Sequence, residues 1–303
     1  MKLINPECRI ETSNFCNSSC TICPREKMTR VKTTMPVGHF KYLVDQCKGL
    51  RADTISVFGF GEPLLDRTLI EKISYCTEQG LKTFITTNAS LLNIDMTGLL
   101  LNAGLSHIRF SAHGTFDDYE KVHVGLKFAD AWCNIANFVY INENSFNHAC
   151  KTDVSVIPMH GETIESIIKF WGKIVDDITV WSPHGWGGIR KYRNEPKKKL
   201  KTCGRLTHGP VQIQADGLII PCCFLTNGEI ILGDTNKNTI EEILKGEKYN
   251  ELRERHKVGN LQGLPCEDCD QRYISEKSPL LYSSDKDFKI NQTSSIKFDL
   301  EVA

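Results

Sequence analysis

Three cysteines near the start of the chain have a spacing that suits metal binding. Cys16, Cys20 and Cys23 form a C-x3-C-x2-C pattern on one short segment. Zinc usually takes four ligands from paired C-x2-C knuckles, whereas three closely spaced thiolates suit an iron–sulfur cluster that keeps one iron for another ligand. The pattern therefore predicts a cubane iron–sulfur cluster, and a zinc site or chance clustering are the alternatives.

Four more cysteines form a second set in the last third of the chain. Cys203 and Cys222 precede a terminal C-x2-C pair, Cys266 and Cys269. By their chemistry alone, four such thiols can hold either zinc or iron and sulfide. Cys223 is an alternative to Cys222 as a ligand. The remaining cysteines are predicted to be buried as small hydrophobic side chains: Cys8, Cys47, Cys76, Cys133 and Cys150.

The composition restricts the classes of partner. The 303 residues include 37 Lys+Arg and 37 Asp+Glu, so the chain has no net charge to attract nucleic acid or an anionic membrane. No apolar run approaches the roughly 18 residues of a membrane span, and the N-terminus lacks an apolar signal segment. We therefore expect a cytoplasmic protein without a nucleic-acid or membrane partner.

The first 185 or so residues alternate short apolar runs with amphipathic helical patterns. Strands joined by helical crossovers indicate a parallel sheet, either open or curled into a partial barrel. Six strands are predicted, at residues 9–12, 54–58, 83–87, 107–111, 153–158 and 178–182.

A different organisation is predicted beyond this alternating part. A basic run over residues 194–201 reads as a solvated linker. Alternating apolar residues around Asp216-Gly217 predict a β-hairpin over 211–220, and Thr239 with Glu242 forms a capping box that opens a short helix. The polar end of the chain lacks periodicity and is expected to be mobile or loosely docked. The predicted divisions are a barrel over 1–190, a linker over 191–202, a cluster domain over 203–272 and a polar tail over 273–303.

The first cysteine set and a second motif together resemble the radical S-adenosylmethionine (SAM) superfamily. In this family C-x3-C-x2-C follows the first strand, and a G-x-G-E-P motif ends the second, as Gly59-Phe60-Gly61-Glu62-Pro63 does here. The resemblance implies an α/β fold, a partial (β/α)6 TIM-type barrel. It also implies a [4Fe–4S] cluster on the three cysteines, with SAM bound at the remaining iron.

The same resemblance implies which residues contact SAM. Gly61 and Glu62 match the motif that binds the SAM amino group. Ser111, at the end of the fourth strand, matches a position that often contacts the ribose, and Asn88 is a similar case at the end of the third. Ile157 is an expected adenine contact. Ile22 stands where the family usually has an aromatic residue before the last cysteine.

The second cysteine set resembles the SPASM/Twitch extension of radical SAM enzymes. That extension is a small C-terminal β-hairpin plus helix that holds an auxiliary iron–sulfur cluster. Only four plausible ligands are present, which favours the Twitch form. The resemblance therefore implies a second [4Fe–4S] cluster closed by Cys203, Cys222, Cys266 and Cys269.

A radical SAM resemblance implies an enzyme that cleaves SAM reductively. The resulting 5′-deoxyadenosyl radical abstracts a hydrogen from the substrate, and an auxiliary cluster commonly accepts a second electron. The leading hypothesis is therefore an oxidoreductase that dehydrogenates a small polar or sugar-like substrate. Such chemistry implies a flavodoxin- or ferredoxin-type electron donor. The alternatives are a peptide-modifying maturase (oxidation, thioether formation or epimerisation) and a non-catalytic iron–sulfur or zinc protein.

A dehydrogenation also requires a general base near the ends of the strands. His113, His160, His184 and Arg190 are candidates by position, since each follows a predicted strand. Of these, His113, His184 and Arg190 are the predicted catalytic residues.

Overall fold

The computed structural model describes residues 1–192, 199–272, 280–283 and 291–292, the last two segments by their backbone alone. Six parallel strands alternate with helices in the first part, as predicted. The strands are β1 Glu7–Ile10, β2 Thr54–Ser56, β3 Lys82–Thr87, β4 His107–Ser111, β5 Lys151–Val156 and β6 Asp177–Val180. The helices are α1 Val37–Gly49, α2 Leu69–Glu78, α3 Ile94–Asn102, α4 Phe116–Val122, α5 Phe128–Ser145 and α6 Ile164–Trp171.

The strands β1 to β6 pair in chain order, each parallel to the next. Side chains alternate between the two faces of such a strand. Apolar residues such as Ile10, Ile108 and Val154 pack with the helices in one core, whereas the other face is largely polar. This arrangement confirms an α/β fold consistent with a partial TIM-type barrel.

The C-terminal hairpin belongs to the same sheet. Its strands are β7 Val211–Ile213 and β8 Leu218–Ile220, followed by β9 Gly233–Asp234. β7 pairs parallel with β1, and β8 pairs antiparallel with both β7 and β9. The hairpin prediction is thus confirmed, but the hairpin extends the sheet of the barrel at the β1 edge.

Short helices accompany this hairpin. They are α7 Arg205–His208, α8 Ile240–Lys245 and α9 Glu247–Val258. The predicted capping box opens α8, since the Thr239 side chain accepts from the Glu242 N–H and the Glu242 carboxylate accepts from the Thr239 N–H. Two of the N–H groups that a helix start leaves unpaired are thereby satisfied.

Two segments of the predicted polar tail form strands of the sheet, which corrects the expectation of a tail without regular structure. Leu280–Ser283 forms β10, which pairs antiparallel with β6, and Asn291–Gln292 forms β11, which pairs with β10. The free edge of β6 has unpaired backbone groups that attract another strand, and β10 supplies it. The rest of the tail and most of the predicted basic linker (193–198) lie outside the described residues.

Four of the five scattered cysteines are buried as predicted, and Cys133 is exposed. On α5, Ala131, Ile135 and Phe138 face the core at helical spacing. Cys133 lies between these positions on the opposite side of the helix, so the prediction was wrong there. No helix in the described part of the chain has the length and apolar character needed to cross a membrane.

The carboxyl ends of the six parallel strands meet at one edge of the sheet, where functional residues of such folds gather. Every segment that carries a predicted site residue of the barrel begins there. These segments are the cysteine loop after β1, 59–63 after β2, Asn88 after β3, His113 after β4, Ile157 after β5 and 181–190 after β6.

Candidate cluster and cofactor site

The cysteine loop is anchored to the segment that follows α4. The N–H of Ser19 donates to the Val124 carbonyl (3.1 Å), and the N–H of Thr21 donates to the Val122 carbonyl (2.9 Å). Within the loop, the Cys23 N–H donates to the Cys20 carbonyl (3.1 Å). The loop therefore has a fixed path across the sheet edge.

The three thiols of this loop lie near one another. Burial raises the pKa of all three, and the pKa of Cys23 reaches about 12, with further increases from Cys20 and Cys16. Such thiols stay neutral until a metal replaces their protons. Within the described part of the chain, no group of three or more Cys, His, Asp or Glu side chains has closed into a metal-binding arrangement, so the ligand set stays a prediction.

Glu62 is a buried carboxylate held by neutral donors. It accepts from the Thr87 hydroxyl (2.7 Å), the Asn88 N–H (2.8 Å) and the Leu64 N–H (3.1 Å). Burial raises its pKa to about 6. It lies close enough to Cys16 to influence the pKa of that thiol. Among the described residues it forms no ion pair, so an ammonium group placed beside it would compensate a buried charge.

The two glycines of the motif are required by packing against the chain before the cysteines. A Cβ on Gly61 would lie 2.1 Å from the Ser13 carbonyl oxygen and 2.7 Å from that of Phe15. A Cβ on Gly59 would lie 2.5 Å from the Glu11 side chain. Gly61 belongs to the motif that the resemblance assigns to the SAM amino group, and both glycines also allow close approach of the protein's own chain.

Asn88 holds the cysteine loop through its side chain. Its amide donates to the Asn17 carbonyl oxygen (2.9 Å), and its own carbonyl accepts from the hydroxyl and the N–H of Ser90. Asn17 in turn donates to the Ser90 hydroxyl (2.8 Å). The predicted ribose contact of Asn88 therefore stays a prediction, and this network gives the residue a positioning role.

His113 is poorly suited to the general-base role predicted for it. Its Nδ1 accepts from the Ile157 N–H (3.1 Å), which occupies the lone pair that a base would use. Burial lowers its pKa to about 3. These contacts favour a role in positioning Ile157, which packs with Ile22 and Val122 beside Cys20.

The loop after β6 holds the cysteine loop from another side. The indole N–H of Trp186 donates to the Ile22 carbonyl (2.8 Å). Arg190 donates to the Cys23 carbonyl (3.1 Å) and forms an ion pair with Glu26 (2.6 Å). Arg190 is thus engaged with the loop, which argues against its predicted role as a general base.

His184, another predicted base, lies in an aromatic environment. Its ring lies between those of Trp181, Trp186 and Phe224, with centroids 5.7, 5.9 and 5.2 Å away. His160 is exposed and lies farther along the β5 loop. Ser111 ends β4 on the polar face of the sheet, in register with Ser155. Its predicted SAM contact stays a prediction.

Three thiols of the second cysteine set lie near Cys203. The Cys203 thiol is close enough to Cys222, Cys266 and Cys269 to raise the pKa of each. Burial raises each of these three pKa values, to about 11 for Cys266 and about 12 for Cys269. Cys223, by contrast, contacts the Arg9 guanidinium on β1 and raises its pKa. This difference favours Cys222 as the ligand, as predicted from the sequence.

Arg272 fixes the turn that carries the C-x2-C pair. It donates to the carbonyls of Glu267 (2.7 Å), Leu200 (3.0 Å) and Cys266 (3.4 Å). Next to Cys269, the Asp270 carboxylate accepts from the Gly185 N–H (2.6 Å). The loop after β6 therefore contacts both cysteine sets.

A buried ion pair joins the two cysteine regions. Arg30 donates twice to the Glu11 carboxylate (2.8 and 3.0 Å) and once to the Thr226 carbonyl (2.8 Å). The same carboxylate accepts from the N–H groups of Phe60 (2.8 Å) and Ala215 (3.0 Å). Glu11 thus links β1, the cysteine loop, the glycine motif and the hairpin.

Sequence reasoning missed Glu11, Arg30, Arg272 and His123. His123 lies 3.4 Å from the Cys20 sulfur through its Nδ1. No local motif marks any of these residues, and each has at least one partner on a segment distant in sequence. Glu11 directly follows β1, which already contains the charged residues Glu7 and Arg9, so its charge gave no signal in the sequence.

The residues present fit the groups that the resemblance implied. Three close thiols on one loop, one of them beside an imidazole, suit a cluster with one open iron. The uncompensated Glu62 carboxylate near Cys16 suits the ammonium group of SAM. Cys203 and the three buried thiols near it supply the four ligands that a closed second cluster requires.

Comparisons with known proteins agree with this chemistry. A family model described as the radical SAM superfamily matches residues 10–170, more than half of the chain. A second model, SPASM, described as an iron–sulfur cluster-binding domain, matches residues 203–270. Radical SAM domains imply SAM and a [4Fe–4S] cluster, and SPASM domains imply further iron–sulfur clusters.

Individual relatives are more distant. Fe-coproporphyrin III synthase of Methanosarcina barkeri is 29% identical over 115 residues, which is 38% of this chain and 28% of that protein. The matched curated relatives are covered over less than two thirds of their own length. Among solved structures, BtrN in complex with AdoMet and 2-DOIA is 19% identical with a TM-score of 0.61, covering 89% of this chain and 94% of that one. Streptococcus suis SuiB bound to precursor peptide SuiA is 15% identical with a TM-score of 0.69, covering 86% and 74%. These two likenesses show a shared fold.

Proposed function

Because this chain belongs to the radical SAM superfamily and carries a C-terminal SPASM iron–sulfur region, we propose that it oxidises a small polar or sugar-like substrate by two electrons. The observation that supports this proposal is the polar, charge-balanced face of the sheet opposite the helices. That face opens at the strand ends where the predicted SAM residues lie.

One polar group lies on β4, β5 and β6. Arg109 donates to both carboxylate oxygens of Asp153 (2.7 and 3.0 Å), and the Thr179 hydroxyl donates to the same carboxylate (2.9 Å). The Arg109 side chain keeps 21% exposure, whereas that of Asp153 keeps 2%. A guanidinium held in this way can still donate to a bound molecule through its free N–H groups.

A second polar group lies across the sheet on β1 and β2. Arg9 donates to Glu7 (2.7 Å), and the Ser56 hydroxyl donates to the same oxygen (2.6 Å). Since each guanidinium is already neutralised by a carboxylate, this face favours a neutral molecule rich in hydroxyl groups over a strongly charged one.

The cofactors, when bound, supply one-electron chemistry: SAM and the first [4Fe–4S] cluster provide the 5′-deoxyadenosyl radical, and the second cluster accepts an electron. Cys16, Cys20 and Cys23 would hold the first cluster. The second would be held by Cys203, Cys222, Cys266 and Cys269. Gly61, Glu62, Asn88, Ser111 and Ile157 are the proposed SAM residues.

His184 is our proposed general base, since it lies on the loop that contacts both cysteine sets. Its role is to take the proton that an alcohol loses on oxidation.

A flavodoxin- or ferredoxin-type protein is the proposed electron donor. We also propose the domain limits that were predicted from the sequence.

The experiment that tests this function is anaerobic turnover of the reconstituted protein with a panel of polyols and aminocyclitols. We expect 5′-deoxyadenosine and a substrate oxidised by two electrons in equal amounts. The matched variant Cys266→Ser/Cys269→Ser is expected to retain SAM cleavage and lose the oxidised product. A product of unchanged oxidation state, or SAM consumption without product, would refute the proposal.

A peptide panel distinguishes the main alternative. SuiB, which shares the fold, was crystallised with a precursor peptide. Modification of a peptide in place of a polyol would make this chain a maturase. Absence of SAM binding would instead support the non-catalytic alternative.

A further inference from the structure

His123 lies under the cysteine loop and contacts the sulfur of Cys20. The distance from its Nδ1 to the Cys20 Sγ is 3.4 Å. We propose that His123 is a positioning residue that donates an N–H···S hydrogen bond to this cluster ligand and thereby raises the reduction potential of the first cluster. The inference rests on the membership of the chain in the radical SAM superfamily and is independent of the reaction proposed above.

The protonation state of the imidazole follows from its other nitrogen. The backbone N–H of His113 donates to His123 Nε2 over 3.1 Å. A ring nitrogen that accepts a hydrogen bond carries no proton, so the proton of the neutral ring lies on Nδ1. That proton faces Cys20, which makes the histidine the donor and the sulfur the acceptor.

The backbone around His123 keeps this orientation fixed. The N–H of Ile157 donates to His113 Nδ1 (3.1 Å), which places the His113 ring. A continuous series of hydrogen bonds thus runs from β5 through two histidines to the cysteine loop. Reversal of the His123 ring would lose the bond from His113 and the bond to sulfur together.

The ring is also enclosed on both faces. Tyr119 stacks on one side, with centroids 4.2 Å apart and planes at 21°, and His113 stacks with centroids 5.0 Å apart and planes at 11°. His123 is almost fully buried, with 1% exposure.

A hydrogen bond to a cluster sulfur has a definite electrostatic effect. Reduction adds negative charge to the cluster, and a donor at a ligand sulfur stabilises the more negative state. His123 therefore makes the cluster easier to reduce. Cys20 is the ligand affected, since its sulfur is the one that His123 contacts. The Ser18 hydroxyl also lies 3.2 Å from this sulfur.

The test is an EPR-monitored redox titration of the reconstituted full chain, without substrate. His123→Leu removes the donor, and we expect the ratio of reduced to oxidised first cluster at a fixed potential to fall about tenfold, a shift of about 59 mV for one electron. His123→Gln, whose amide can donate and accept, should recover most of the shift. An unchanged potential in the leucine variant would overturn the proposal.

Tyr119→Phe is the matched control. Its ring stacks on the same imidazole, but its buried hydroxyl has no hydrogen-bond partner among the described residues. Its removal should leave the potential unchanged. A shift as large as that of the leucine variant would show that packing alone sets the potential, and the proposal would fail.

A second measurement does not depend on the variants folding. The ¹⁵N shifts of His123 in the metal-free wild-type chain report its tautomer, and we expect the proton on Nδ1. A proton on Nε2 would contradict the proposed donor. Both readouts are separate from turnover, so failure of the oxidation hypothesis would leave this test intact.

Discussion

The two cysteine regions are held in place in different ways. The first loop is fixed by residues far away in sequence: His123 is 103 positions from Cys20, and Arg190 is 167 positions from Cys23. The C-x2-C turn of the second region is fixed by Arg272, which binds two carbonyls five and six positions away and one distant carbonyl, that of Leu200.

This difference shows what each region requires of the fold. The first loop depends on the whole barrel being assembled, because its contacts come from the ends of several strands. The second turn is more locally determined, since two of the three carbonyls that Arg272 binds belong to the C-x2-C segment itself. Glu11 and Arg30 connect the two regions. Each region therefore has its own metal ligands, but we expect the two regions to fold together.

The largest expected effect tests whether the two regions bind metal independently. Substitution of Cys16, Cys20 and Cys23 by alanine should reduce iron from about eight to about four atoms per anaerobically reconstituted chain, because each cubane contains four irons. Iron, sulfide and zinc analysis provides the measurement.

The complementary variant Cys266→Ser/Cys269→Ser should also retain about four irons, now on the first loop. Loss of all iron from either variant would show that the regions load together. Four irons with one zinc in the wild type would make the second site a structural zinc site.

The next effect tests the folding link between the regions. Both side chains of the Glu11–Arg30 pair are at most 6% exposed. Arg30→Met therefore leaves the Glu11 carboxylate buried without its cation. Breaking a buried ion pair on one side costs about 3–5 kcal/mol of unfolding free energy. Anaerobic urea denaturation measures this loss.

Lys41→Ala is the control for that variant. Lys41 pairs with Glu71 at 2.7 Å on the surface, where an ion pair contributes less than about 1 kcal/mol. Equal destabilisation by the two variants would contradict a special role for the Glu11–Arg30 pair.

The smallest effect is a pH dependence that originates in the second region. Burial lowers the pKa of His256 to about 4, and the ring contacts the Thr202 hydroxyl (2.8 Å). The unfolded chain binds this proton near pH 6.5 and the folded chain does not, so stability is fully present above pH 6.5 and falls toward pH 4. The loss per pH unit is about 1.4 kcal/mol.

His256→Gln keeps a polar contact to Thr202 and removes the titration. Its unfolding free energy should therefore depend less on pH between 6.5 and 5 than that of the wild type, as denaturation at several pH values will show. Parallel curves for the two proteins would exclude this histidine as the source.

Much of the fold could be predicted from the sequence because its signals are local. Alternation in 54–58 and the Asp216-Gly217 turn each reflect backbone geometry within a few residues. The predicted strand ends differ from the observed ones by one or two residues, as at β1, because pairing with neighbouring strands sets these limits. The tail strand β10 was missed because its partner, β6, lies a hundred residues away.

In the candidate site, too, only the residues with a local sequence signal could be predicted. The cysteines stand out by their spacing, and Glu62 stands out by its motif. The partners that position them do not, since a histidine such as His123 carries no local mark of its contact. The catalytic roles of His113 and Arg190 stay predictions, because sequence position indicates their place on the sheet edge and not the hydrogen bonds that argue against a base there.

The packing of Gly61 has a consequence for anyone who maps this protein by alanine scanning. A methyl group there would collide with the Ser13 carbonyl before any cofactor is present. Loss of activity in such a variant would look like a cofactor contact, yet the primary lesion would be a displaced main chain. Structural assays on the metal-free protein are therefore needed to distinguish a lost cofactor contact from a displaced main chain in this variant.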